Sequence, residues 1–392
     1  MSLVGLLAVF LISSPMASKN KSVLGLLSGE KGISIWMNDT RLGLHVGNIN
    51  TGTQENADKT VKILKEMGVK SVRLIYQNPT TKAVTAKTIK ELNKYGIDVL
   101  VTIMPFRSDY SDVTTSYSNY PNGSDAFEKL CGSPGWRWMY KYSTVDQNLY
   151  KTRLESLLTE INKVVATVTA FEIGNETDWA CFNGDIPVVA TGNVNSPYDL
   201  SRTSFLSGTV KGYAKTLKTS YLSIKALHPK ASVLTFGAAN TYLYDPKLPH
   251  IHFPNFLLWL TNVEGTNYLA KYSDATAMHF YPQVTSSADI AYKIGPAFTN
   301  VAKFRNKFWI TEFGFGKSLP QYTSNPTQTE KLRLASYHNF LSAVNNLNQV
   351  IVDRAYLYSY EQSDWTVMAP DSTPLDSAKI FKDYGTTRRS VP

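Results

Sequence analysis

Several features that fix a protein's class are scarce in this sequence. It holds two cysteines in 392 residues, Cys131 and Cys181, which excludes a disulfide scaffold and a cysteine-rich zinc module. Charged residues make up only 18%, below the usual quarter of a globular chain. The formal charge of +9 is scattered, with no block of Lys and Arg, so no nucleic-acid-binding arm is visible. That charge reads as a solvated basic surface or as a field that attracts an acidic polymer. No low-complexity segment, linker or internal repeat divides the chain, and the N-terminal apolar run from Leu3 to Ile12 is too short to span a bilayer as a helix, so no stable membrane insertion is expected.

What is present is a folded composition, 43% hydrophobic with 23 Tyr and 7 Trp, enough for one large core. Residues 1–17 have the apolar run and small-residue end of a secretory signal cleaved near Ala17. They lack a preceding Lys or Arg, and Pro15 sits close to the cut, so an apolar segment packed on the domain is the other reading. The first reading makes the protein secreted or periplasmic, where Cys131 and Cys181 have a single possible pairing; in the cytosol they would be two buried thiols. Sequons begin at Asn38, Asn122 and Asn175, the last inside the candidate site described below.

Short β-branched runs alternate with segments of helical period through most of the chain, the pattern of repeated βα units. Eight strands are predicted: 42–49, 71–77, 98–105, 168–176, 232–240, 274–282, 307–315 and 352–362. Helices are predicted between them, such as 57–68 after the first strand and 329–347 after the seventh, where apolar residues return every three or four positions. Eight such units close into a (β/α)₈ TIM barrel, an α/β fold with a single catalytic domain over 18–392. The rival, a doubly wound sheet, would carry a Gly-rich phosphate turn after its first strand, and that turn here reads GNINTGTQEN. The connections after strands three (Phe106 to Asp146) and four (Thr177 to about Asp199) are far longer than ordinary βα loops. Each carries one of the cysteines, so a bridge would tie them together over the barrel mouth.

Two of the strands end on carboxylates. FEIGNETDW brings Glu176, preceded by Asn175, to the end of strand four, and FWITEFGFG brings Glu312 to the end of strand seven. Both belong at the C-terminal rim, where barrel active sites are built. An Asn-Glu dipeptide alone carries little information; its position at a strand end gives it weight. A carboxyl pair on one rim is the minimum needed to cleave a glycosidic bond, one group protonating the leaving oxygen and the other attacking the sugar. Structural ion pairs at strand ends are the plainer alternative.

With Arg73 on strand two and His279-Phe280-Tyr281 ending strand six, four strands agree in order with a known group. The chain from about Leu42 to Gln362 resembles the clan A retaining glycosidases, such as families 5 and 39, in its strand-four signature Phe171 to Glu176 and its strand-seven signature Thr311-Glu312-Phe313-Gly314. The resemblance implies an O-glycosyl hydrolase acting on β-linked oligo- or polysaccharide, with Glu176 as acid/base and Glu312 as nucleophile, and with no cofactor and no metal. It implies Asn175, Arg73, His279 and Tyr281 as substrate-side residues, and a carboxyl separation of about 5 to 5.5 Å for retention. Glu172 shares strand parity with Glu176 and is expected to point inward as a structural partner of an Arg or His.

Clan members often end strand eight on a Trp. Here the strand ends Tyr358-Ser359-Tyr360-Glu361, and the nearest Trp is Trp365, so Tyr360 and Trp365 are both candidates for the aromatic surface under the sugar. Trp179, and further out Trp136, Trp138 and Phe182, are loop aromatics that could stack on sugar faces. Two decoys are set aside: Gly316-Lys317-Ser318 lacks the earlier glycine of a phosphate loop, and His250-Ile251-His252 has no nearby acid or cysteine cluster to complete a metal site. The same residues would serve a transglycosylase, and a carbohydrate-binding barrel that has lost turnover is the reading from another class. The sugar, endo or exo action and the oligomeric state are left open by the sequence.

Overall fold

The computed structural model describes residues 40–47, 49–105, 141–179, 181–186, 203–239, 251–361 and 364–387, all within a compact unit that spans Met37–Pro392. Residues 1–17 lie outside the described residues, as do Cys131, Trp136, Trp138, His250 and the sequons at Asn38 and Asn122. Eight parallel strands close into a barrel in chain order: β1 (Arg41–His45), β2 (Ser71–Tyr76), β3 (Asp98–Ile103), β4 (Ala170–Ile173), β5 (Ser232–Ala238), β6 (Ala275–Phe280), β7 (Lys307–Phe313) and β8 (Ile351–Leu357). β8 returns to pair with β1, with Arg41 opposite Arg354 and Leu44 opposite Leu357. This is the (β/α)₈ barrel of the sequence analysis.

All eight strands fall where the apolar runs place them, but each stops short of the C-terminal end of its run. The runs continue because residues leaving the barrel such as Val46, Ile49, Met104 and Phe315 remain buried, while the ladder hydrogen bonds stop earlier. In β4 the shortfall is chemical: the strand ends at Ile173, and Gly174 (φ 91°) and Glu176 (φ 45°) take left-handed backbone. Glu176 therefore lies beyond the strand and not at its last position.

The helices start about one turn before their apolar periodicity does. Helix Gln54–Met67 begins where the Thr53 side chain accepts from the Asn56 amide, and ends at Gly68, whose φ of 84° suits a residue without a Cβ. Its buried face is Ala57, Val61, Leu64 and Met67, a stripe that packs on the outside of the sheet. Helix Pro326–Asn345 begins likewise, with the Asn325 side chain accepting from the Gln328 amide and Pro326 in the first turn. A polar first turn leaves no hydrophobic mark, which is why the sequence signal lags the true start. Among the described residues no helix is long and apolar enough to cross a membrane.

Inside the barrel, Leu100, Ala170, Leu234, Ala275, Ala277, Trp309 and Tyr356 form a core of their own, separate from the larger one between sheet and helices. The small residues make room for Trp309 and Tyr356, which stack at 6.2 Å. Below them Arg354 donates to Ser71 (3.0 Å) and Asp98 (2.7 Å) and lies over the Trp309 ring. This packed layer closes the floor beneath the polar groups at the other end.

Gly43 is part of that fit, since a Cβ there would stand 2.5 Å from the Tyr356 ring. Gly43→Ala should destabilise by about 1–3 kcal/mol through overpacking, read as a lower denaturation midpoint with an unchanged slope.

Candidate active site

The site begins with the turn that follows β4. β4 and β5 stop pairing at Glu172 opposite Leu234, and Tyr213, from helix Thr203–Leu227, fills the seam. Its hydroxyl donates to Ile173 O (3.0 Å) and accepts from Phe236 N (2.8 Å), satisfying two backbone groups that the ladder has released. Gly174 then turns the chain between the Tyr142 hydroxyl and Thr177 Oγ1, which would stand 2.7 and 2.8 Å from a Cβ. Asn175 makes an isolated bridge to Gly237, and Glu176 donates its amide to Gly237 O at 2.7 Å. Asp178 fastens the far side of the turn, its Oδ1 accepting from Ala239 N at 2.9 Å.

The other residues arrive from neighbouring strands. In the barrel register His279 stands opposite Glu312, and His45 opposite Arg73. Arg73 is wholly buried and spends its guanidinium on four side chains. Nε donates to Glu172 Oε2 (2.8 Å), Nη1 to Glu312 Oε1 (2.5 Å) and to His45 Nδ1 (2.8 Å), and Nη2 to Asn175 Oδ1 (2.7 Å). Thr102 also donates to Glu172 Oε2, at 2.5 Å. Glu172 is thus the inward-facing partner of an Arg. Across the mouth the Tyr281 hydroxyl donates to Glu312 Oε2, and His279 Nδ1 shares a 2.9 Å hydrogen bond with Glu176 Oε1 while standing 3.5 Å from Glu312 Oε2. One oxygen of Glu176, one of Glu312 and a ring nitrogen of His279 lie within 4.8 Å of one another. Among the described residues this is the one group of three that could share an ion, but His279, Arg73 and Tyr281 already engage its oxygens, so the groups are committed to each other.

The two glutamates sit in opposite electrostatic settings. Burial alone would raise Glu312, yet His279, Arg73 and the Tyr281 hydroxyl together hold its carboxyl down at about 2. Glu176 moves the other way: burial, aided by the negative charge of Glu312, raises it against the pull of His279. Asp178, two residues on, is also raised, by burial first and by Glu176 among the charges. His45 is lowered to about 3 by burial and by Arg73. This agrees with its contact, because a guanidinium can only donate and His45 Nδ1 must then be a bare acceptor.

Of the residues read from the sequence, Glu176, Glu312, Asn175, Arg73, His279 and Tyr281 come together in this cluster. Trp365 stands beside it, edge-on to the Tyr281 ring at 5.0 Å, in a loop that Arg333 holds by donating to Trp365 O (2.8 Å) and Thr366 O (3.0 Å). Tyr360 does not join the cluster: its amide donates to His45 O on the β1 side. The strand has turned outward by that point, so the aromatic at the mouth is Tyr358, whose ring lies 5.0 Å from His45 and 5.8 Å from Tyr281. The peptide between Tyr358 and Ser359 is cis. Trp179 packs against Phe182 at 5.9 Å and against the core, and its amide donates to Glu176 O at 2.9 Å. Sequence reasoning missed His45 entirely; its signal was a lone His ending β1 in register with Arg73. Cys181 is buried and disulfide-bonded; the chain's other cysteine, Cys131, lies outside the described residues. The Gly316-Lys317-Ser318 turn binds a carboxylate and no phosphate cradle forms: Ser318 donates its amide and hydroxyl to Asp364.

No family model matches the sequence, and no curated protein matches it. Solved structures do. A fungal β-1,4-galactanase is 15% identical with a TM-score of 0.55, the match covering 88% of this chain and 99% of that one. An endo-β-1,4-mannanase from Thermotoga petrophila is 14% identical (TM-score 0.52), covering 90% of this chain and 77% of its own. A family 5 glycoside hydrolase from Bifidobacterium longum, solved in complex with Manβ1-4GlcNAc, is 11% identical (TM-score 0.54), covering 90% and 79%. At these identities the likeness is one of fold, extending over nearly the whole chain.

The neutral, buried His45 makes a pH prediction. Its folded value lies below the unfolded one, so between about pH 6.5 and 3 the unfolded chain takes up a proton that the folded chain refuses, and stability falls as pH falls. From pH 7.5 to 5 the wild type should lose about 2 kcal/mol relative to His45→Gln, measured as the pH dependence of the difference between their urea midpoints.

Proposed function

We propose that this chain is a retaining glycoside hydrolase acting on a β-linked oligo- or polysaccharide, with Glu312 as nucleophile and Glu176 as acid/base. The observation that carries the reading is the carboxyl pair itself: oxygens of Glu176 and Glu312 within 4.8 Å, one group held ionised and the other biased toward its protonated form. That spacing leaves room for a sugar carbon between them and not for an interposed water, which supports double displacement over inversion.

In the first step Glu176 gives its proton to the glycosidic oxygen while an oxygen of Glu312 bonds to the anomeric carbon and the aglycone leaves. Ester formation removes the charge of Glu312, and with it part of what raised Glu176, so Glu176 becomes the carboxylate that deprotonates the incoming water. The water oxygen then displaces the Glu312 oxygen from the opposite face, the one the aglycone left, and the two inversions together retain the configuration. Arg73 and Tyr281 hold Glu312 from both its oxygens, fixing the attacking lone pair. Asn175 has its Oδ1 committed to Arg73, which leaves its amide hydrogens to donate to a sugar hydroxyl beside the anomeric carbon. Tyr358, with Trp365 beyond Tyr281, offers the aromatic surface for a sugar face.

The named activities of the fold neighbours, a β-1,4-galactanase and a β-1,4-mannanase, support β-linked hexose chains as the first substrates to try. The disulfide at Cys181 supports export to an oxidising compartment, as does the reading of residues 1–17 as a signal.

Incubation with β-1,4-galactan, mannan, glucan and xylan, followed by NMR of the first-formed product, should show the β anomer before mutarotation; an α product would overturn the retaining assignment. Glu312→Gln should reduce turnover by at least about 10⁴-fold on every substrate. Glu176→Ala should keep activity on substrates with good leaving groups and regain rate with added azide, which replaces the missing base in the second step.

A further inference from the structure

Three buried polar atoms beneath the carboxyl pair have no hydrogen-bond partner: Nε2 of His279, Oε1 of Glu172 and Oγ1 of Thr311. All three residues are completely buried. They come from three strands, β6, β4 and β7, and converge on one point. A Cβ built on Gly237 of β5 would lie 2.1 Å from His279 Nε2 and 2.7 Å from each of Glu172 Oε1 and Thr311 Oγ1. No side chain fits there, and the absence of one is what lets the three atoms meet over a bare α-carbon. Their chemistry is complementary: an imidazole N–H and a hydroxyl can donate, and a carboxylate oxygen accepts. Buried polar groups are rarely left unpaired, so three complementary ones around a single glycine mark a site.

We propose that Glu172 is a positioning residue for the acid/base: its Oε1 takes Nε2–H of His279 and the Thr311 hydroxyl when the three side chains, which the structure brings together unpaired, close on one another over Gly237, so that the proton on Nε2 is fixed and Nδ1 is kept facing Glu176. The inference rests on the proposed roles of Glu176 and Glu312 and adds a second face to the imidazole. The other oxygen of Glu172 is already taken by Arg73 and Thr102, so the carboxylate joins two systems. Through Arg73 it reaches the nucleophile, and through His279 it reaches the acid/base. With Nε2 permanently protonated, the one remaining proton lies between His279 Nδ1 and Glu176 Oε1, 2.9 Å apart. That is the proton delivered to the leaving group. A flipped ring would present Cδ2 to Glu176 in place of Nδ1 and break the proton's path.

Among the described residues, the titratable groups around this proton come from several elements. β1 supplies neutral His45; β2, Arg73; β4 and its turn, Glu172, Glu176 and Asp178; β7, Glu312; the residue after β6, Tyr281; and the residue after β8, Tyr358. Among the described residues Arg73 is the permanent cation of the group, and it faces Glu172 and Glu312. Removing the negative charge of Glu172 leaves Arg73 less neutralised and takes an anion from beside His279. Both changes loosen the shared proton, so both move its release to lower pH.

Nitrogen NMR of histidine-labelled protein, with His279 assigned through His279→Asn, tests the tautomer directly and needs no substrate. Nε2 should carry a proton at every pH from 5 to 8, whichever partner holds the second one; a bare Nε2 anywhere in that range overturns the proposal. In kinetics, Glu172→Gln and Gly237→Ala should each move the alkaline limb of kcat/KM down by about one pH unit, a roughly tenfold loss one unit above the wild-type limb, with smaller loss on the acid side. A uniform loss at all pH values in folded variants, with the limb unmoved, would mean a merely structural role and would also overturn it. If either variant fails to fold, the NMR measurement on the wild type still decides. Failure to find any hydrolysed substrate would count against the proposed function while leaving the tautomer result intact.

Discussion

The structure turns on the burial of one guanidinium. Arg73 has no access to water, and an unpaired charge in that position would be prohibitively costly. Each of the three nitrogens of Arg73 is matched, by Glu172, by Glu312 with His45, and by Asn175. Two carboxylates around one cation leave the cluster with a negative balance, and that balance sets the tone of the mouth. Burial above all, and then the charge of Glu312, make a third carboxyl, Glu176, reluctant to ionise, and His279 stands as the mediator between Glu176 and Glu312. Removing Arg73 would leave two buried anions without a counter-charge, so it is as much a folding requirement as a functional one.

A barrel suits this arrangement because it separates support from chemistry along its axis. The interior layer built on Trp309 and Tyr356 is rigid and apolar, and the charged groups rest on it at the end where the strands stop pairing. There the backbone is free to bend, and the protein uses side chains from outside the barrel to govern the bend. Tyr213 satisfies the released groups of Ile173 and Phe236, Tyr142 presses on Gly174, and Asp178 ties the turn to β5. Glu176 is therefore held by a helix and by a neighbouring strand as much as by its own strand.

Two glycines show how much depends on what is missing. Gly174 turns the chain where a Cβ would meet the Tyr142 hydroxyl, and Gly237 admits His279, Glu172 and Thr311 to its α-carbon. In the sequence each is one glycine among 23, and nothing local distinguishes it. Their roles appear only when the atoms of other strands are placed around them.

The sequence by itself determined the eight alternating units, the parallel closure that follows from them, and the ends of β4 and β7 as the places where carboxylates meet. Those are consequences of periodicity and order, which a linear string carries. Arg73, His279 and Tyr281 were assigned to the same end of the barrel by the resemblance to the clan A glycosidases, and strand parity turned Glu172 inward. The sequence offered Tyr360 and Trp365 as the aromatics under a sugar and could not point to Tyr358, because the point where β8 leaves the barrel depends on how the ladder with β1 ends, nor to His45, a lone histidine whose meaning lies in its register with Arg73. Tertiary structure alone decided which aromatic faces the mouth, which carboxylate is held ionised, and which polar atoms gather over Gly237. Each of these depends on distances between groups from different strands, and electrostatic energy and van der Waals contact are functions of those distances and not of position along the chain.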